Sequence, residues 1–152
     1  MISRQELRQI ARARLRDAQV LLRAQRFDGA YYLGGYAVEI ALKARICRTL
    51  KWAGFPDAAS EFQGLQSLKT HDLEILLRLS GAEAKVKSRH LAEWSAVLNW
   101  NPEKRYQPVG NAFRPWEQTT QPSGSCWTIW PRRMASGECR VPICSGCRSK
   151  KQ

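Results

Sequence analysis

The chain has 152 residues, 43% of them hydrophobic and 25% charged, with a formal net charge of +12. That length supports one domain with a real core, and the composition is that of an ordinary globular protein. No apolar run reaches the roughly 18 residues a membrane-spanning helix needs, and the start, MISRQELRQIARARLRDAQ, lacks the apolar stretch of a signal peptide, so the expectation is a cytoplasmic protein with no membrane partner.

Residues 3–25 are predicted as the first helix. Ser3 and Glu6 form a capping-box pattern, and Leu7, Ile10, Ala11, Leu15, Ala18, Leu21 and Leu22 recur at three- and four-residue steps. Arg4, Arg8, Arg12, Arg16, Arg23 and Arg26 fall on an arc of roughly 120° beside this apolar face, at about 100° per residue. Such a face is either solvated surface or a docking face for phosphate or an acidic partner. Arg14 projects from the apolar arc, which predicts snorkelling or a carboxylate partner on a neighbouring helix, Glu39 among the choices.

Asp28 reads as the N-cap of a second helix running to about Lys51, closed by Gly54 and Pro56. Its core stretch is FDGAYYLGGYAVEIALKA. Tyr32, Tyr36, Glu39 and Lys43 share one stripe of that helix, and Leu33, Ala37, Ile40 and Ala44 share another. A helix apolar nearly all round is the buried central helix of a bundle. Ala30, Gly34, Ala37 and Ala41 would let neighbours approach closely, offsetting about 1 kcal/mol for each interior glycine. Glu39 and Lys43 stand in the favourable order for an i,i+4 pair; the stripe either pairs internally or lines a nucleotide or RNA pocket.

A loop spans 55–69, with a short helical turn around Asp57 to Phe62. Thr70 is the expected cap of a third helix carrying Leu73, Leu76, Leu77 and Leu79 and ending at Gly81. A fourth runs from about Glu83 to Trp100, with Leu91, Trp94, Val97 and Leu98 on its apolar side. NPEKRYQPVG is a turn with an extended exit, and no alternating strand pattern precedes residue 110. The expected architecture is all-α, an up-and-down bundle of four main helices over residues 1–110.

Residues 111–152 change character. They hold four of the five cysteines, three of the six tryptophans and four of the seven prolines, with seven Lys/Arg against two Asp/Glu, which is +5 of the +12. No helical period survives there. The segment reads as a metal-stapled appendage, a disordered arm, or the product of a shifted reading frame. An odd cysteine count without export signals argues against a disulfide framework. Cys126, Cys139, Cys144 and Cys147 are spaced C-x12-C-x4-C-x2-C, which offers zinc one close pair and not two. Trp116, Trp127 and Trp130 alternate with Arg114, Arg132 and Arg133, a composition that also stacks on single-stranded bases.

The run DAQVLLRAQRFDGAYYLGGYAVEIALKA, then KTHDLEILLRLSG, then W-x5-W-NPEKRY, resembles a prokaryotic HEPN domain over about residues 5–110. The resemblance implies an all-α bundle, a homodimer, and a nucleotidyltransferase-type partner in a toxin–antitoxin or defence-type system. It also implies a nucleotide or RNA ligand. Many members are metal-independent ribonucleases with an Arg-x4–6-His motif. Here His71 has no arginine at that spacing, and His90 has Lys85 five residues before it, a Lys-x4-His arrangement without the planar fork of arginine. No catalytic set is therefore assigned beyond the candidates His71, His90 and Lys85, and no cofactor is expected. The binding candidates are Tyr32, Tyr36, Glu39, Lys43, His71, Asp72, Arg105 and Tyr106. The head of the third helix favours anions at His71 and Asp72; alternatively His71 hydrogen-bonds across to helix two. Arg105 and Tyr106, which recur in the family near this position, fold back on the bundle or face its cleft. Against the family pattern, no further amphipathic helix follows R-Y-x-P-x-G, which predicts one open apolar side, covered by a partner subunit or by the tail tryptophans.

Three functions follow. The first is a HEPN-type binding and interaction module without its own catalysis. The second is a HEPN ribonuclease toxin. The third is a degenerate or purely structural helical protein, a reading that an amphipathic helix encoded in another frame after codon 110 would support.

Overall fold

The computed structural model describes residues 1–110. The proposed boundary at 110, the four tail cysteines and the tail tryptophans and arginines lie outside or at the edge of those residues. Within them the protein is all-α. Helix α1 is Arg4–Arg23 and α2 is Phe27–Thr49; three shorter helices follow, α3 (Leu73–Leu79), α4 (Glu83–Arg89) and α5 (Leu91–Leu98). Two-residue strands, β1 (Ile2–Ser3) and β2 (Gly54–Phe55), pair antiparallel, a contact the sequence pattern did not predict. Single 3-10 turns occupy Ala59–Phe62, Gln66–Leu68 and Pro102–Tyr106.

The α1 N-terminus is built as expected. The Ser3 hydroxyl accepts from the Glu6 amide at 3.2 Å, and the Glu6 carboxylate accepts from the Ser3 amide at 2.9 Å. The apolar stripe of α1 buries Leu7, Ala11, Leu15 and Ala18, whereas Ile10 stands at its exposed edge. Gln25 takes a left-handed φ of 57° between the two long helices, so α2 turns back along α1. Leu21 meets Gly29 at one end and the Arg4 amide donates to the Ala53 carbonyl at the other, so the pair is antiparallel.

Asp28 is not the cap of α2. The helix begins two residues earlier than expected, at Phe27, with Arg26 in the cap position and no side-chain cap, while the Asp28 carboxylate accepts from the Gly110 amide at 2.8 Å. Its end also differs: the helix stops at Thr49, Lys51 carries a left-handed φ of 56°, and Gly54 belongs to β2. The central-helix expectation holds, since Ala37, Val38, Ala41, Leu42, Ala44, Ile46 and Cys47 are all buried.

Asp72, not Thr70, caps α3. Its carboxylate accepts from the amides of Glu74 at 2.8 Å and Ile75 at 3.1 Å, and Thr70 Oγ1 accepts from the Asp72 amide at 3.0 Å. The threonine thus shapes the approach and the aspartate caps. Gly81, at φ 65°, ends the helix in the left-handed region that glycine adopts without a Cβ penalty.

The single helix expected over 83–100 is two. His90 breaks it at φ −141°, ψ 35°. In an unbroken helix His90 would lie one turn from both Val86 and Trp94, both buried, on the core-facing side. Breaking the helix there leaves the imidazole half-buried, 3.7 Å from the Glu93 carboxylate. The break also rotates α5: Trp94 and Val97 are buried, but Leu91 and Leu98, read as part of the apolar side, are 59% and 42% exposed. Leu73, Leu76 and Leu77 complete the core as expected, with Leu79 partly buried.

Candidate functional site

The candidate residues of α2 converge as one stripe. Glu39 is 1% exposed in the middle of the core helix. Its Oε1 accepts from Lys43 Nζ at 2.6 Å, the expected i,i+4 pair. The same oxygen lies 2.9 Å from Nδ1 of His71, which comes from the segment leading into α3. The imidazole is 58% exposed on its side chain and Lys43 18%, so two solvent-reaching groups hold one buried carboxylate. Asp72 locks the backbone beside His71 by capping α3, which fixes the ring against α2. Glu39 therefore takes its partners from α2 and the α3 approach, not from α1. Arg14 instead pairs with Asp17 on its own helix at 2.9 Å, exposed on both sides.

A carboxylate in a core costs free energy unless it is paired and hydrogen-bonded. Oε1 has two partners, and Oε2 has none among the described residues. The ring nitrogen that does not face Glu39, Nε2 of His71, belongs to the exposed side chain, so the dyad fixes one nitrogen and leaves the other for a ligand or proton.

One turn and two turns earlier, Tyr36 and Tyr32 extend the stripe. Their rings meet edge-on, centroids 5.4 Å apart. Trp100 closes the group, 5.4 Å from Tyr36 and 6.3 Å from Tyr32, with its Nε1 donating to the Tyr32 carbonyl at 3.1 Å. Trp100 was missed as a site residue. Its signal was Gly35: a Cβ there would overlap the indole Cγ, Cδ1 and Nε1, so this glycine admits a tryptophan ring where a helix was expected. Burial first, then the Tyr32 and Glu39 charges, raise the Tyr36 phenol pKa, and Arg105 opposes them. Arg105 follows in the 3-10 turn after α5. The oxygens of Tyr32 and Tyr106 favour its charged form, and its guanidinium lies 4.6 Å over the Tyr106 ring. Arg105 thus folds back on the tyrosine stripe. Tyr106 is 72% exposed.

The candidates Lys85 on α4 and His90 at the α4–α5 break do not join this group: Lys85 is exposed, with its carbonyl accepting from Ser88, and His90 faces Glu93 of α5. Each histidine is next to a carboxylate and neither is next to an arginine in the contacts described. A different ion-pair group sits between α3 and α4: Lys87 Nζ donates to Glu74 and to Glu83, and Trp94 Nε1 donates to the second Glu74 oxygen at 3.1 Å.

On α1, Arg4, Arg12, Arg16 and Arg23 are exposed and Arg8 is half-buried. Three side-chain atoms are buried without a hydrogen-bond partner among the described residues: Arg8 Nε, Arg45 Nε and Glu39 Oε2. No group of three or more His, Cys, Asp and Glu side chains positioned for a metal occurs among the described residues. None of the described helices is long and apolar enough to cross a membrane.

The class these features define is an all-α protein whose central helix carries a buried Glu39 carboxylate held by Lys43 and by an exposed His71. No family model, curated protein or solved structure matches the chain.

Proposed function

We propose that the protein is a HEPN-type nucleotide- or RNA-binding and interaction module that acts with a nucleotidyltransferase-type partner and does not itself cut RNA. The observation that carries this reading is the stripe Tyr32–Tyr36–Glu39–Lys43, joined by His71 and Arg105 from elsewhere in the chain. It combines aromatic faces for a base, an arginine for phosphate, and a Glu39 oxygen without a donor. Homodimerisation, the toxin–antitoxin setting and the partner rest on the HEPN resemblance of the sequence, as does a cytoplasmic location on its N-terminal composition. Supporting a non-catalytic role, Lys85 on α4 and His90 at the α4–α5 break make no described hydrogen bond or ion pair with the stripe, and no arginine precedes either histidine at the motif spacing.

The test is titration of the full chain with nucleoside triphosphates and a short single-stranded RNA. Tyr36→Ala is expected to weaken binding by the roughly 1–3 kcal/mol of one base stack. Unchanged affinity in Tyr36→Ala and Arg105→Gln together overturns the reading.

One observation favours the second reading, metal-independent RNA cleavage. Glu39 orients His71 as a carboxylate orients a general base, with Nε2 turned away from the dyad. RNA cleavage in chelator that disappears in a His71→Ala/His90→Ala double variant would establish it and remove the non-catalytic one.

A further inference from the structure

Arg4, Arg8 and Arg12 fall on one face of α1. The fold adds an arginine from α2, and the nearby carboxylates are engaged elsewhere: Glu6 with the Ser3 amide, Asp57 and Glu61 with the Met1 amine. Pairing of β1 with β2 and the Arg4–Ala53 backbone bond lay the start of α1 beside the end of α2. Arg4 acts electrostatically on Cys47, the residue before Arg48, which places it at that end. Arg8 sits one turn further along α1. Its guanidinium is pushed toward the neutral form by burial and then by the positive charges of Arg12, Arg4 and Arg48. None of these four arginines forms a salt bridge among the described residues, and the Arg8 Nε is buried with no acceptor.

Clustered guanidiniums repel one another, and a buried donor without an acceptor costs about 1–3 kcal/mol. A bound anion relieves both. Arg4, Arg8 and Arg12 follow each other at one-turn intervals, a rise of about 6 Å per step, so the group is a line and not a cup for one ion. We propose that Arg4, Arg8 and Arg12 of α1 with Arg48 of α2 form a phosphodiester-binding seam, on which a polynucleotide lies through its backbone.

The seam is separate from the tyrosine stripe and does not depend on it. It has no aromatic side chain among its four residues, so it reads backbone charge and no base. An acidic protein is the weaker occupant. Protein interfaces centre on apolar and aromatic anchors, whereas Gln5 and Gln9, which lie among Arg4, Arg8 and Arg12 on α1, are polar and exposed. Arginine also matches phosphate with its planar fork.

The experiment follows binding of the full chain to a fluorescent single-stranded RNA of about 20 nucleotides as salt is raised. Each phosphate contact contributes about 0.7 to the slope of log affinity against log salt, and about eightfold in affinity near 0.05 M salt. Arg8→Gln/Arg48→Gln is expected to lower the slope by about 1.4 and the affinity roughly fifty-fold. Arg14→Gln/Arg78→Gln removes the same charge elsewhere and is expected to change both far less. Far-ultraviolet circular dichroism of each variant confirms that it is folded, and Arg12→Gln alone, at an exposed position, gives the same direction if the buried Arg8 variant does not fold. A wild-type chain that does not bind, equal effects of the two double variants, or an acidic peptide bound as tightly with the same variant sensitivity each overturns the seam. A duplex DNA of equal length bound as well as RNA supports it, because only the phosphodiesters are read. The stripe is scored separately by Tyr36→Ala, which is expected to leave the salt slope unchanged.

Discussion

The indole of Trp100 occupies the space a Cβ would take on Gly35, and its Nε1 donates to the carbonyl of Tyr32 on the same helix. This contact pins the segment after α5 to the middle of α2 and brings Arg105 to the tyrosine pair. Gly35→Ala is expected to push the ring out and destabilise the protein by about 1–3 kcal/mol, read as a lower urea midpoint. Gly64→Ala is a useful contrast of a different kind, because its cost arises from a φ of 77° in open space and not from overlap. A wild-type midpoint in Gly35→Ala would mean that the ring does not sit there.

The Glu39 group predicts an asymmetry. Lys43→Met leaves a buried carboxylate with a weaker partner set and is expected to cost about 1–3 kcal/mol. His71→Ala removes an exposed partner and is expected to cost under about 1 kcal/mol. Lys43→Met in a Glu39→Gln background is expected to be nearly neutral, since the charge it served is gone. Denaturant unfolding of Lys43→Met, Glu39→Gln and the double variant closes a double-mutant cycle, with His71→Ala measured beside it; additive costs would remove the pair.

Asp72 predicts a cap effect at the head of α3. Asp72→Ala is expected to cost about 1 kcal/mol. Thr70→Ala, which loses one bond to the Asp72 amide and no cap, is expected to cost less. If the two costs come out reversed in thermal unfolding, the helix starts at Thr70.

Glu74 predicts an acid limit. Hydrogen bonds from Lys87, and then from Trp94, hold its carboxyl below the ordinary carboxylate range. A depressed folded value means that this stabilisation is present above the ordinary carboxylate pKa of about 4.3 and is lost as pH falls through the folded value. Glu74 and Glu83 raise Lys87, so its share is present below the ordinary lysine value and lost only as pH rises through the raised one. Neutral pH keeps both. The indole of Trp94 is expected to report the acid step by fluorescence, and Glu74→Gln to flatten it. An equal acid transition in that variant would place the cause elsewhere.

Much of the helical frame was legible because period and capping are local. The α1 stripe, the Ser3–Glu6 capping box, the all-apolar α2 and the Gly81 stop need only neighbours within a turn or two. The Glu39–Lys43 pair was legible for the same reason. Boundaries failed where a distant partner competed. Asp28 accepts from the Gly110 amide, and the helix over 83–100 is interrupted at His90. The choice of partner for Glu39 was not legible, because Arg14 and His71 are equally plausible in one dimension.

By itself the sequence determined an all-α chain with a buried central helix, a polar stripe on it, and a basic first helix, since composition and 3.6-residue periodicity are properties of consecutive residues. Only the tertiary structure decided that the Glu39 oxygen bound to Lys43 also holds His71, that Gly35 receives Trp100, and that the start of α1 lies beside the segment after α2. Those relationships join residues far apart in the chain, and the physical quantities that select them, burial of a charge and exclusion of a Cβ, exist only once the helices have packed.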